Sequence, residues 1–160
     1  MMRTTRIIGS VLVVTVSLVG LAPSVSLADP SSPAVEQRRQ PPAAPTAESE
    51  YNRGIRARIA KDWTTAVDAF RKAIALRATF PEAWNELGYA LRNQGRYPDS
   101  LAAYEEALRL RPDFPEALEY LGEAYVKMGR LDDASRVLDR LRPLDARRAE
   151  ELAQVIKKGK

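Results

Sequence analysis

Apolar residues recur along the chain at helical spacing. Two such sets follow one another in its middle, each with members three or four positions apart: Trp84, Leu87 and Leu91, then Leu101, Tyr104 and Leu108. Residues at this spacing share one face of a helix. Short polar stretches containing glycine or proline separate the periodic segments. The pattern predicts helices at about residues 48–60, 64–76, 82–94, 98–111, 116–128 and 132–141, with a seventh after Pro143.

The segment 81–114 returns when the sequence is shifted by its own length of 34 residues. The forward shift pairs, among others, Pro81 with Pro115, Glu82 with Glu116, Gly88 with Gly122 and Gly95 with Gly129. The backward shift gives a fainter copy, in which Gly54 and Phe70 stand for Gly88 and Tyr104. A fixed period of this size indicates helical hairpins that stack and bury their apolar faces against one another.

These residues resemble the tetratricopeptide repeat, a helix with W-x2-L-G-x2-Y followed by a helix with A-x3-F and a proline. The second copy supplies Trp84, Leu87, Gly88, Tyr104, Ala107 and Pro112, whereas Leu91 and Ser100 replace the family's tyrosine and alanine. The first copy departs further, with Glu50, Arg53 and Ala78 in the places of Trp84, Leu87 and Pro112. The resemblance implies an all-α, right-handed α-solenoid of three helix-turn-helix repeats, residues 47–80, 81–114 and 115–145.

A capping helix with a basic tail, residues 146–160, is predicted to close this stack. Asp145 can cap its first turn, and one of its faces is apolar: Ala149, Leu152, Ala153 and Ile156. Such a helix covers the exposed apolar edge of the last repeat. The final lysines suit a solvated helix end, and a tail for an acidic partner is the alternative.

Gly88 falls in the middle of a predicted helix, where glycine costs roughly 1 kcal/mol relative to alanine. Gly54 and Gly122 occupy the same place in the other copies. We therefore expect the paired helix of each hairpin to approach these glycines closely.

The first 28 residues have the pattern of a signal peptide. Arg3 and Arg6 precede an uncharged apolar run, and Ser26-Leu27-Ala28 fits a cleavage site. We expect cleavage after Ala28 and export to the periplasm or the medium. The alternative is an uncleaved anchor in the inner membrane, residues 7–28, because that stretch approaches the length of a membrane span. Residues 29–46 contain five prolines and are predicted to be a semi-rigid linker, with a proline-rich ligand as the alternative.

Composition removes several classes of function. The chain has no cysteine and no histidine, which excludes disulfides, thiol-linked lipids, and zinc sites built on either residue. Neighbouring carboxylates such as Glu105 and Glu106 point about 100° apart on a helix and do not converge on a substrate. No phosphate-binding loop or nucleophile–base pair appears. We therefore expect no enzyme, no cofactor and no metal.

Charge also argues against nucleic acid as a partner. The net charge is +4, from 25 basic and 21 acidic residues, and it falls to +2 if Arg3 and Arg6 leave with the signal peptide. Both signs are spread along every predicted helix. No basic stripe with interleaved aromatic residues is present to follow a phosphate backbone.

One helical surface remains as a candidate binding site. It lies next to the packed face of the first helix of each predicted hairpin, and these are called the first helices below. In the resembled family these positions line a concave groove, and here they are Tyr51, Ile55, Arg58, Asn85, Tyr89, Arg92, Asn93, Glu119, Glu123 and Lys127. Tyrosine and arginine are frequent interface anchors, which favours a peptide or a partner helix as the ligand. Ordinary exposed residues of amphipathic helices are the alternative.

Some relatives clamp a chaperone's C-terminal carboxylate with lysines and asparagines in this groove. This chain has Tyr51, Ile55, Glu86, Glu116 and Tyr120 at those places, which argues against that activity. Arg58 and Arg92 would make the earlier part of the groove basic, and four glutamates would make the later part acidic: Glu82, Glu116, Glu119 and Glu123. We therefore expect a ligand of mixed polarity whose basic section lies toward Glu119 and Glu123.

Together these features predict a non-catalytic scaffold or adaptor of the cell envelope that binds a protein or peptide partner in the groove. The alternative is a self-associating structural subunit of an envelope or secretion assembly. The sequence leaves the oligomeric state open, and a membrane is expected as a partner only if residues 7–28 are retained.

Overall fold

The computed structural model describes residues 44–159. All regular elements within this range are helices: α1 (Ala47–Ile59), α2 (Trp63–Leu76), α3 (Pro81–Asn93), α4 (Tyr97–Leu110), α5 (Pro115–Lys127), α6 (Leu131–Leu141) and α7 (Ala146–Lys158). The first six begin and end within one residue of the positions predicted from the apolar spacing. The expected all-α architecture is confirmed.

Local residues explain where several helices begin. The Thr46 hydroxyl accepts a hydrogen bond from the backbone N–H of Ser49 (3.1 Å), and the Ser49 hydroxyl accepts one from the N–H of Thr46 (2.9 Å). This reciprocal pair caps α1. Asp62 and Asp145 cap α2 and α7 through single bonds of 3.1 and 3.0 Å. The predicted cap at Asp145 is therefore present.

The turn inside each hairpin requires one residue in the left-handed backbone region. Gly95 and Gly129 hold this place with φ of 77° and 73°, and Lys61 holds it in the first repeat with φ of 57°. These three residues are spaced by the repeat period. The turn geometry therefore recurs in the first repeat even though its sequence lacks the glycine.

The helices form three hairpins, α1–α2, α3–α4 and α5–α6, which stack in chain order. The first helices α1, α3 and α5 lie side by side in one row. Because α7 packs against both α5 and α6, it takes the next place in that row. Leu152 of α7 is fully buried, as are Phe70, Tyr104, Leu118 and Leu141 in the stack. The predicted capping helix thus covers the last hairpin.

The mid-helix glycines allow close approach of large side chains. A Cβ atom on Gly54 would lie 2.5 Å from the Phe70 ring, and one on Gly88 would lie 2.6 Å from the Tyr104 ring. Both rings belong to the paired helix, as expected. At Gly122 the expectation is wrong, because the side chain that would meet the Cβ at 2.5 Å is Leu152 of α7. At Gly122, therefore, the large side chain that fills the space belongs to the capping helix and not to the paired helix.

Two N-terminal predictions cannot be compared with this fold. The predicted signal peptide, residues 1–28, and all but the last three residues of the predicted linker, residues 29–46, lie outside the described residues. Among the helices that are described, none combines the length and the apolar composition that crossing a bilayer requires.

Candidate functional site: the groove of the first helices

All ten residues predicted to bind a partner lie on α1, α3 and α5. Here "the groove" means the surface formed by these three helices together with α7. Two pockets open on it. Three predicted residues line one pocket, four line the other, and Ile55, Tyr89 and Glu119 line neither.

The first pocket, called the acidic pocket below, has a volume of about 260 Å³. Three neighbouring helices or their caps supply its walls: Tyr51 and Arg58 from α1, Glu82, Asn85 and Glu86 from α3, and Phe114, Glu116 and Tyr120 from the start of α5. Three carboxylates thus face one guanidinium group, between aromatic rings. Asn85 is only 4% exposed, and its carboxamide oxygen has no hydrogen-bond partner.

The second pocket, called the basic pocket below, has a volume of about 470 Å³. It lies toward the carboxyl ends of α3 and α5 and includes a residue of the capping helix: Arg92, Asn93, Tyr97, Glu123, Lys127 and Val155. Two cationic side chains outnumber the one carboxylate. Arg92 and Glu123 form an ion pair across the two helices.

Tyr89 belongs to an aromatic cluster of the groove. Its ring centroid is 5.1 Å from that of Tyr120 and 6.0 Å from that of Trp63. The guanidinium carbons of Arg58 and Arg92 lie 5.6 and 5.2 Å from the Tyr89 ring centroid. Cations at such distances are attracted to the ring face. These contacts hold the polar ends of both arginines at the groove surface.

The predicted polarity along the repeats is met only in part, because Glu82 and Glu116 line the acidic pocket but Glu119 and Glu123 do not. Glu119 is 5% exposed and is bound by Arg148 of α7, while Glu123 is bound by Arg92. The two glutamates expected to attract a basic ligand are therefore already paired within the chain. The charge separation instead runs along the helix axes, since the acidic pocket lies near the starts of α3 and α5 and the basic pocket near their ends.

Burial alters the acid–base behaviour of the acidic pocket. Burial raises the pKa of Tyr51 to about 12, with a further contribution from Glu86. Burial also raises the pKa of Glu86 itself, and the charge of Arg58 opposes this only in part. Tyr51 is a neutral hydroxyl at physiological pH, as an ordinary tyrosine is, and the raised pKa makes its ionisation still less favourable.

Several wall residues were absent from the predicted site. Glu86 and Tyr120 were expected only to depart from a clamp, Glu116 was also expected to add negative charge to the groove, and neither Val155 nor Tyr97 belongs to the predicted site. The i+4 spacing of Glu82 and Glu86, and of Glu116 and Tyr120, could have identified them because residues at this spacing share a helix face. No sequence signal places Val155 there, since its position depends on how α7 docks. Among the described residues, no cluster of acidic side chains is arranged to hold a metal ion.

Comparison with known families supports the repeat interpretation. Residues 88–129 match a family model described as a TPR repeat, and residues 69–102 match a second one described as a tetratricopeptide repeat. No curated protein sequence matches the chain.

Solved structures with this fold include the TPR2B domain of yeast Sti1 in a pHsp70 complex, with 24% identity and a TM-score of 0.67 over 71% of this chain and 94% of that one. The TPR domain of Arabidopsis OM64 gives a TM-score of 0.67 at 18% identity, over 70% of this chain and 94% of that one. MamA gives a TM-score of 0.59 at 27% identity, over 68% of this chain and 61% of that one.

Proposed function

We propose that this tetratricopeptide repeat protein is a non-catalytic scaffold that binds a peptide or a partner helix in its groove. The observation that carries the proposal is the pair of pockets on one face of adjacent first helices, joined by the half-exposed Tyr89–Tyr120 pair. Aromatic anchors between polar pockets suit an extended ligand. The Sti1 domain, which has the same fold, is in complex with pHsp70.

The ligand of this chain differs from a chaperone's terminal carboxylate. Glu86 and Glu116 line the acidic pocket, at places where clamping relatives present lysines and asparagines. A carboxylate ligand would meet like charge there, which is unfavourable when the groups are partly desolvated. The groove is therefore proposed to serve a different partner.

The cellular place is proposed from the N-terminal sequence alone. The arginines and apolar run of residues 1–28 support export to the periplasm or the medium, and retention of residues 7–28 would instead anchor the chain in the inner membrane. Mass spectrometry of the exported chain tests this proposal. A first residue near Asp29 supports cleavage, and a chain that still begins at Met1 supports the anchor.

In-cell crosslinking followed by mass spectrometry tests the binding role. The groove variant carries Tyr89→Ala and Asn93→Ala and keeps Arg92, so that Glu123 does not lose its partner. The matched control carries Lys72→Ala and Arg109→Ala, two exposed positions on the second helices α2 and α4. We expect the unaltered chain and the control to capture the same partners and the groove variant to lose them.

Two results would contradict the scaffold proposal. Capture of the same partners by the groove variant would place binding on another surface. Capture of only further copies of this chain would favour the alternative, a self-associating subunit of an envelope or secretion assembly. Light scattering at two protein concentrations separates the cases, because only a self-associating chain gains mass with concentration.

A further inference from the structure

The acidic pocket offers hydrogen-bond acceptors that nothing in the described chain satisfies. The carboxamide oxygen of Asn85 is buried without a partner, in a residue that is 4% exposed. Oε2 of Glu86 is buried as well; it forms an ion pair with Nε of Arg58 at 3.1 Å, but the two atoms are not aligned for a hydrogen bond, and neither has another hydrogen-bond partner. A buried acceptor without a donor costs free energy, and a ligand that supplies N–H groups would recover it.

The charges around the pocket are unequal in number. Glu86 pairs with Arg58, Glu82 pairs with Arg111, and Arg148 is shared among Glu116, Glu119 and Asp145. Three carboxylates therefore line the pocket together with one guanidinium group, that of Arg58. Arg111 and Arg148 pair with Glu82 and Glu116 but do not line the pocket, so the charge of its walls is negative. Such an imbalance in a partly desolvated site favours binding of a further cation.

Aromatic rings complete the walls on both sides of these acids. Tyr51, Phe114 and Tyr120 line the pocket beside Glu86 and Glu116. Ring faces attract an ammonium or guanidinium group, and carboxylates beside them bind its N–H donors. The Tyr51 hydroxyl is neutral at physiological pH, so it can accept a hydrogen bond without adding charge.

On the premise of the proposed groove function, we infer that the acidic pocket binds the charged end of a lysine or arginine side chain of the partner peptide. The N–H groups of this side chain meet Glu86 and Glu116, and its position between the rings excludes water. The partner therefore presents a basic residue at the starts of α3 and α5, not near Glu119 and Glu123. Its remaining residues extend past Tyr89 toward the basic pocket.

Amide NMR titration of the full chain with three capped tripeptides tests this inference. Two probes carry a central arginine or lysine, and the third carries citrulline, which has the shape of arginine without its charge. We expect the cationic probes to shift the amide signals of residues 82–86 and 114–120. Citrulline should bind about tenfold more weakly, because hydrogen bonds to charged groups are the stronger ones.

Matched glutamine variants connect the effect to the pocket. Glu86→Gln should weaken arginine binding about tenfold, and Glu150→Gln, at an exposed position of α7 outside both pockets, should leave it unchanged. If Glu86→Gln does not fold, Glu116→Gln serves instead, since that side chain is 47% exposed and tolerates the change more readily. Equal binding of citrulline, shifts confined to other surfaces, or no shifts with the cationic probes would overturn the inference and leave a pocket that holds water only.

The inference and the proposed function fail in different ways. Partner capture that still depends on Tyr89, combined with no preference for cationic probes, would overturn only the inference. Partner capture that does not depend on the groove would overturn the proposed function, whatever the tripeptides do.

Discussion

Lys61 occupies a left-handed backbone conformation that glycine holds in the other two repeats. A Cβ atom in this region is strained by roughly 1 kcal/mol, and glycine avoids that cost. We expect Lys61→Gly to raise the free energy of unfolding by about 1 kcal/mol, measured by chemical denaturation. Lys61→Ala is the matched control. It removes the same side chain but keeps the Cβ, so a similar gain from alanine would show that strain is not the cause.

Glu86 makes the stability of the fold depend on pH. Burial raises its pKa above the ordinary value of 4.5, so the folded chain binds this proton more readily than the unfolded chain. The free energy of unfolding that Glu86 contributes is therefore present below pH 4.5 and is lost as the pH rises through the raised pKa. We subtract the free energy of unfolding of the unaltered chain from that of Glu86→Gln. This difference should be larger at neutral pH than in acid.

Urea denaturation at a series of pH values measures this difference. Glu150→Gln, at an exposed position of α7, removes the same charge and should show no such trend. A stability difference between Glu86→Gln and the unaltered chain that does not change with pH would contradict the prediction. If the tripeptide titration also shows that Glu86 binds the cationic probes, then Glu86 supports binding while it lowers the stability of the fold at neutral pH.

Among the elements, α7 connects the fold most directly to the groove. Its Leu152 fills the space over Gly122, its Arg148 binds Glu119, and its Val155 lines the basic pocket. One helix therefore covers the last hairpin and also completes the candidate binding surface. Any change in how α7 docks should alter stability and binding together.

Leu152→Ala tests the docking of α7. The side chain is fully buried, so its truncation should lower the free energy of unfolding by roughly 3 kcal/mol, measured by thermal or chemical denaturation. Leu144→Ala is the matched control, because that leucine lies just before α7 and is 38% exposed. Equal effects of the two substitutions would contradict the role assigned to Leu152.

Over the whole molecule, the apolar core is uneven. The largest apolar cluster is formed by the four helices α4, α5, α6 and α7 and contains Leu118, Leu141 and Leu152. In contrast, the only buried residues of α1 are Ala47, Gly54 and Ala57. In a stack of repeats, each element is stabilised mainly by its neighbours, and α1 has none on its outer side within the described residues. We therefore expect the N-terminal hairpin to be the least stable part of the stack.

Hydrogen exchange measures this gradient. We expect amides of α1 to exchange fastest among the helices and amides of α5, which is flanked on both sides, to exchange slowest. Uniform protection from α1 to α7 would show that the stack unfolds as one unit and would contradict the prediction.

The sequence by itself determined the helices, their hairpin pairing and the face that carries the candidate site. This information is local or periodic: apolar spacing sets each helix, Gly95 and Gly129 end the first helices, and the 34-residue shift sets the stacking. The surface of the first helices follows from the same spacing. For this reason all ten predicted residues lie on α1, α3 and α5.

The tertiary structure alone decided the charge pattern of the groove. Arg148 reaches Glu119 because α7 begins 31 residues after the start of α5 and not 34, since α6 has 11 residues where α2 and α4 have 14. Arg92 pairs with Glu123, 31 residues away in the chain. Ion pairs between helices depend on side-chain reach and on the docking of neighbouring elements, and neither is visible in a repeat pattern. Only the folded molecule shows that Glu86 lines the same pocket as Glu82 and Glu116.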